Sequence, residues 1–168
     1  MITVGLVALV FMLVLIMKDL TVCYIKKHRK NSTTISFKES LDLTEMPIVT
    51  FTHNGNKLNF LLDTGSNHNL IDESAADLLK ISAGEMVMHT SVNAGGKEKA
   101  EPRPKVEMTV GYKDNVFTDS FYIIDMAEPF NEIKKESGVT VHGIIGNAFM
   151  SKYKYVLDFD EMIAYYKK

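Results

Sequence analysis

A chain of 168 residues and 18.9 kDa has room for one domain of ordinary size and a short appendage, which excludes a two-lobed architecture of about three hundred residues. Hydrophobic residues make up 46% and charged residues 24%, with 10 Gly and 4 Pro, the balance of a packed core and not of a disordered chain; the single cysteine, Cys23, excludes an intrachain disulfide framework and a cysteine-rich zinc site. The net charge of −2 divides into +4 over residues 1–30 and −6 over the rest, an acidic domain behind a basic collar, which argues against nucleic acid as a partner because phosphate binding needs a positive face on the folded part.

Residues Met1 to Met17 carry no charged side chain and read almost without a break as Val, Leu, Ile, Phe and Met, close to the minimum length of a spanning helix at about 1.5 Å per residue. Continuation past Lys18 and Asp19 to Tyr24 and Ile25 gives a comfortable span. Lysine snorkels to the headgroups, and the aspartate is the residue that such depth disfavours. A cleaved signal peptide would want a basic residue ahead of the run and a small-x-small site behind it, and neither is present. Leu20-Thr21-Val22-Cys23 only distantly resembles a lipoprotein site, because Val22 stands where a small residue belongs. We therefore expect an uncleaved transmembrane anchor over 1–25, a basic and polar linker over 26–44, and a folded domain over 45–168. The five basic residues of the collar, Lys18, Lys26, Lys27, Arg29 and Lys30, all follow the apolar run, and the positive-inside rule then puts the domain on the cytoplasmic side.

From about Glu39 the pattern turns to short apolar runs between turn residues, the sign of a β-rich domain. Met46 to His53 and Asn56 to Leu62 flank Asn54-Gly55, a pair suited to the positive φ angles of a type I′ hairpin turn. A short strand around Asn69 to Ile71 precedes a helix over Asp72 to Lys80, with Asp72 as N-cap and Ala75, Ala76, Leu78 and Leu79 as its apolar face. Val87 to Val92 leads to a turn at Gly95-Gly96, and Lys97 to Lys105, polar and interrupted by Pro102 and Pro104, reads as an exposed loop. A second hairpin joins Val106–Tyr112 to Val116–Ile124. A helix over Glu128 to Glu136 packs through Phe130 and Ile133 and stops at Gly138. Val141 to Ile145, a helical turn over Asn147 to Tyr153, and strands at Tyr155–Phe159 and Met162–Tyr166 complete the chain, with no internal repeat.

Asp63-Thr64-Gly65-Ser66 follows Phe60-Leu61-Leu62, so a carboxylate sits at the mouth of a turn leaving an apolar strand. This segment resembles the active-site loop of aspartic proteases, and Val141-His142-Gly143-Ile144-Ile145-Gly146-Asn147-Ala148-Phe149 resembles the apolar-apolar-Gly segment that crosses behind that loop. Over about residues 45 to 168 the chain is most similar to single-domain retropepsin-like proteins, including bacterial members with an N-terminal anchor. The resemblance implies a mainly β fold, a closed acid-protease-like β-barrel with short helices, here preceded by the transmembrane helix. It places a flap at the hairpin around Asn93-Ala94-Gly95-Gly96-Lys97, with Ala94, Gly95 and Gly96 at its tip, and has Ile144, Ile145 and Gly146 pack behind the loop. The polar, Pro-interrupted flap and the 83 residues separating Asp63 from Gly146 depart from the compact retroviral form.

Peptide hydrolysis of this kind uses two carboxylates sharing one proton across a bound water, and only one Asp-Thr-Gly occurs. The resemblance implies a homodimer in which Asp63 of each copy faces its partner, acting on peptides or proteins in extended conformation, with no cofactor. It also implies that Thr64 bonds across the dimer loops. Gly65 lets backbone N–H groups approach the carboxylates, and Ser66 is expected to donate to the outer carboxylate oxygen. The competing class is a non-catalytic peptide-binding or dimerisation module that keeps the fold. The linker Asn31 to Glu45 also suggests itself, by its exposure, as a self-cleavage site.

Asp72, Asp125, Asp158 and Asp160 sit at caps or strand ends and read as structural or solvated. His53, His68, His89 and His142 lack His-x-x-x-His or His-Glu-x-x-His spacing, so no metal is expected. His68, close after the loop, is either a substrate contact or a surface histidine. Nucleotide-binding glycine patterns and Gly-x-Ser-x-Gly are absent.

Overall fold

The computed structural model describes residues 11–21, 33–92 and 98–166. Residues 11–21 are helical (α1) and exposed. Among the described residues no helix is long and apolar enough to cross a membrane. Residues 1–10 and 22–25 of the expected anchor lie outside the described residues.

Asn54 and Gly55 take φ of 49° and 81°, positive at both central positions as a type I′ turn requires. Strand β2 (Ile48–His53) therefore folds straight back onto β3 (Asn56–Leu62), paired from His53↔Asn56 to Ile48↔Leu61. Alternation along β3 sorts its side chains between two cores: Leu58, Phe60 and Leu62 enter the main cluster, whereas Leu61 packs into a second one. The main cluster is dominated by Phe51, Phe60, Phe121 and Phe149, all at most 1% exposed. The second lies around Ile48, Met126, Phe130 and Val141, beneath helix α4 (Ala127–Ser137), which ends on Gly138 at φ 76° as expected of a left-handed cap.

The remaining strands are β1 (Thr34–Ser36), β4 (Asn69–Asp72), β5 (Glu85–Val92), β6 (Glu98–Tyr112), β7 (Asn115–Ile124), β8 (Gly143–Ile145), β9 (Tyr155–Asp158) and β10 (Ile163–Tyr166). They form a seven-stranded sheet of order β2-β3-β8-β4-β7-β6-β5 and a three-stranded sheet of order β1-β10-β9. Most neighbours are antiparallel, but β3–β8 and β4–β7 are parallel. In addition β2 meets β6 at one register pair, Thr52↔Gly111, where Thr52 Oγ1 donates to the Gly111 carbonyl at 3.1 Å. The large sheet thus curls until an end strand touches the strand next to its other end, and the closure expected of a barrel comes down to this one pair.

Three expectations are corrected. Residues 98–105 are not a loop but the first half of β6, paired with β5 from Val92↔Glu98 to Glu85↔Lys105. Pro102 and Pro104 share parity, and β7 joins β6 only from Lys105 onward, so both prolines can turn the side that lacks an N–H to the unpaired edge. Part of the expected linker is folded: β1 pairs with β10, Ile35 and Phe37 are 3% and 1% exposed, and helix α2 (Lys38–Thr44) follows. Within the segment expected as a self-cleavage site, Ile35 and Phe37 are buried, whereas Lys38, Glu39, Asp42 and Leu43 are exposed. Helix α3 (Glu73–Leu78) is capped by Asp72 as expected, but Leu78, assigned to its apolar face, is 77% exposed. The short helix buries only Ala75 and Ala76.

Candidate active site

Strands β3 and β4 are joined by residues 63–68, and β8 lies between the two strands, pairing Leu62↔Ile145 on one side and Leu70↔Ile144 on the other. The loop must therefore arch over the end of β8. Asp63 extends the ladder by one bond, its N–H donating to the Ile145 carbonyl at 3.0 Å. Beyond it the chain turns: Ser66 N–H donates to the Asp63 carbonyl at 3.2 Å, and Gly65 N–H donates to Asp63 Oδ1 at 2.8 Å. This is an Asx turn. It fixes one carboxylate oxygen, and Asp63 stays half-buried at the surface.

The arch rests on a floor made after β8. Ile145 is fully buried and Ile144 packs into the second core, which brings Gly146 against the loop. Asn147, the first residue of helix α5 (Asn147–Lys152), clamps the arch twice: its N–H donates to the Ser66 carbonyl at 2.8 Å and its Nδ2 to the Thr64 carbonyl at 2.6 Å. Asn69, 1% exposed, fastens the other side by accepting from Gly146 N–H at 3.1 Å and donating to the Ser120 carbonyl at 3.1 Å. The structure thus brings Asp63, Thr64, Gly65, Ser66, Ile144, Ile145 and Gly146 together as the sequence suggested. The flap-tip residues Ala94, Gly95 and Gly96 lie outside the described residues; the hairpin arms that lead to them are β5 and β6.

One role is corrected. Ser66 Oγ does not reach the carboxylate but donates to the His68 carbonyl at 2.8 Å, closing the turn locally, and the donor to Asp63 is the Gly65 amide. Asn69 and Asn147 were missed as site residues. The signal for Asn69 was an amide sharing parity with Ile71 in an apolar strand, where a buried polar group must find partners. Asp72 is structural: 5% exposed, it accepts from Ser74 N–H at 3.2 Å and from Met126 N–H at 2.8 Å, and it also bonds the Ser74 hydroxyl. Among the described residues no cluster of His, Cys, Asp and Glu is arranged to hold a metal.

Comparison with known proteins covers the stretch that holds the Asp63 loop and the Ile144-Ile145-Gly146 floor: the family model described as "Aspartyl protease" matches residues 49–149. The chain belongs to the aspartyl protease family. Among solved structures, a retropepsin-like aspartic protease from Rickettsia conorii aligns with a TM-score of 0.50 at 15% identity, over 79% of this chain and 89% of that one, which is a likeness of fold. Comparison with curated proteins gives no match.

In this protease His142 joins the floor to β3, accepting the Asn59 N–H on Nδ1 at 3.0 Å. An acceptor nitrogen requires the neutral ring, and burial, the largest cause, holds His142 below the ordinary imidazole value. The unfolded chain takes up the proton first, so the stability His142 contributes is full above about pH 6.5 and is lost as pH falls toward the folded value. Thermal unfolding followed from pH 7.5 to pH 5 should show a falling Tm. In His142→Asn, whose Oδ1 can accept the same bond without titrating, the fall should be smaller.

Proposed function

We propose that this aspartyl protease is an endopeptidase whose reactive water is held between two Asp63 carboxylates, one from each copy of a homodimer. The observation that carries this reading is the Asp63 loop itself: a half-buried carboxylate, oriented by the Gly65 amide and held on a clamped arch, in a chain with a single Asp-Thr-Gly. One carboxylate cannot be base and acid in the same step. With two sharing a proton, the ionised one takes a proton from the water, the water oxygen adds to the peptide carbonyl, and the protonated partner donates to the developing oxyanion. Collapse of the tetrahedral intermediate with a proton delivered to the amine releases both products. Thr64, exposed at the crest of the arch, would contact the partner loop.

Substrate would lie as an extended strand between the arch and the β5–β6 hairpin, held by backbone hydrogen bonds with alternate side chains in pockets. An anchor over 1–25 on a cytoplasmic domain belongs to the same reading, supported by the uncharged run and the basic collar; tethering raises the local concentration of protomers and favours the dimer. The test is cleavage of a diverse peptide library by the full chain from pH 3 to pH 8, with products read by mass spectrometry. A dyad sharing one proton predicts a bell-shaped profile with its maximum on the acidic side. A flat profile through the acidic range, or activity from a strict monomer, would count against it. Alkaline extraction of membranes, which should leave the chain in the pellet, checks the anchor.

A further inference from the structure

Three rings from three separate elements meet beside the Asp63 arch. His68 ends the arch just before β4, Tyr122 stands on β7 in register with Leu70 and Lys105, and His89 lies on the hairpin arm β5. Their centroids are 5.4 Å apart for His68–His89, 5.1 Å for His68–Tyr122 and 4.8 Å for His89–Tyr122. Tyr122 is buried and both imidazoles are half-buried, so the cluster is wall rather than core. Among the described residues no hydrogen bond is made by either imidazole or by the Tyr122 hydroxyl, which leaves their polar atoms unspent at a surface where the hairpin approaches the loop.

Two cations, Lys105 and Arg103, stand close to the rings. Lys105 Nζ stands 5.6 Å from the Tyr122 centroid. The register Val87↔Arg103 and His89↔Glu101 places Arg103 and Glu101 on the ribbon face that carries His89. Glu101 is already engaged by Lys99 Nζ and Arg103 Nη2, each at 2.6 Å; the other carboxylates on this face are Glu85, four residues from His89 and opposite Lys105, and Glu107, two residues beyond Lys105 and opposite Ser120. A ring stack kept only for packing would be served by phenylalanine and gains nothing from two imidazoles beside an arginine and a lysine. Resting on the peptidase reading above, we propose that His68, His89 and Tyr122 wall a substrate subsite that takes an acidic side chain of the peptide.

The electrostatics agree in direction. Burial first, then the positive neighbours His68 and Arg103, hold His89 below the ordinary imidazole value. A carboxylate seated between the rings opposes the last two causes, so it raises the imidazole pKa and binds with uptake of a proton. Preference for an acidic residue therefore strengthens as pH falls from neutral into the mildly acidic range.

The experiment uses the full chain in detergent and a library of ten-residue peptides carrying Glu, or its neutral isostere Gln, at each position in turn. The quantity read is the Glu:Gln ratio of kcat/KM, which cancels any general loss of folding or rate within one variant. At one position the ratio should be about tenfold at pH 5 and smaller at pH 7.5, the size of one charge-assisted hydrogen bond in a partly screened site. His68→Gln and His89→Gln should each bring it close to one. A ratio near one at every position, or a preference that survives both substitutions, overturns the subsite. A second measurement needs no catalysis: the imidazole proton resonances of His68 and His89 in the Asp63→Asn chain should move more with the pooled Glu peptides than with the pooled Gln peptides. Equal response overturns the subsite even if peptides are cleaved. A selective response from a chain whose wild type cleaves nothing leaves the subsite standing and sinks the peptidase reading instead.

Discussion

Asp63→Asn should abolish peptide cleavage while leaving the fold in place. An asparagine Oδ1 can accept the Gly65 N–H that now reaches Asp63 Oδ1 at 2.8 Å, and the bonds that clamp the arch come from Asn147 and Asn69, not from the carboxylate. Stability should stay within about 1 kcal/mol of wild type, whereas kcat/KM falls at least about 10³-fold, because no group remains to take the proton from water. The same substitution also distinguishes one copy from two. If each dyad draws one carboxylate from each protomer, equal amounts of wild type and Asp63→Asn, allowed to exchange subunits, keep about a quarter of the dimers intact, a random-pairing consequence of two-fold symmetry. If each protomer works alone, activity per wild-type chain is unchanged by the mixture. The measurement is initial rate against mole fraction of the variant: a curve falling as the square of the wild-type fraction supports the homodimer, and a straight line excludes it.

What could be read from the sequence was what is local in the chain. Asn54-Gly55 fixes its own turn, and the turn fixes the register of β2 on β3 that delivers Asp63 to the end of a strand. Asp63-Thr64-Gly65 carries its own Asx bond. Gly138 as a helix stop and Asp72 in its N-cap role act within a few residues of themselves, although the second Asp72 oxygen reaches Met126 across the fold. The errors arose where the outcome depended on a partner distant in sequence. Residues 98–105 looked like a loop because two prolines interrupt them, yet β5 supplies a ladder on one edge while the other stays open. Thr34–Ser36 looked like linker because nothing in those residues announces β10, more than a hundred residues later.

The same division holds within the site. Ser66 was placed correctly in the loop but given the wrong acceptor, since the choice between a carboxylate oxygen and the His68 carbonyl depends on how the arch closes and not on residue type. Asn69 and Asn147 draw their meaning from Gly146, Ser120 and Thr64, residues set by the β3-β8-β4 order. Composition and spacing do not carry that order. The meeting of His68, His89 and Tyr122 is likewise a product of register across three strands.

The second large effect is expected at Gly146, and its cause is space, not backbone freedom. Gly146 has φ −98° and ψ −175°, an extended conformation open to any residue. A Cβ there would lie 2.3 Å from the His68 carbonyl oxygen, 2.7 Å from the Ser66 carbonyl oxygen and 2.9 Å from the His68 carbonyl carbon. All three atoms are backbone of the arch, so no side-chain rotation relieves the clash. Either the arch lifts or α5 retreats, and both break the Asn147–Ser66 and Asn69–Gly146 hydrogen bonds that hold the carboxylate in place. Gly146→Ala should destabilise the fold by about 3 kcal/mol, the upper range for a methyl group forced into filled space, and Gly146→Val should prevent folding. Gly111 provides the contrast: a Cβ there meets first the Thr52 side-chain oxygen at 3.2 Å, which can rotate away at the cost of its hydrogen bond to the Gly111 carbonyl, so Gly111→Ala should be milder. Denaturant unfolding of the two alanine variants measures the difference, and peptide cleavage by whatever fraction of Gly146→Ala remains folded tests the arch itself. A folded Gly146→Ala protein with wild-type kcat would mean that the loop tolerates displacement and that its clamps do not position Asp63.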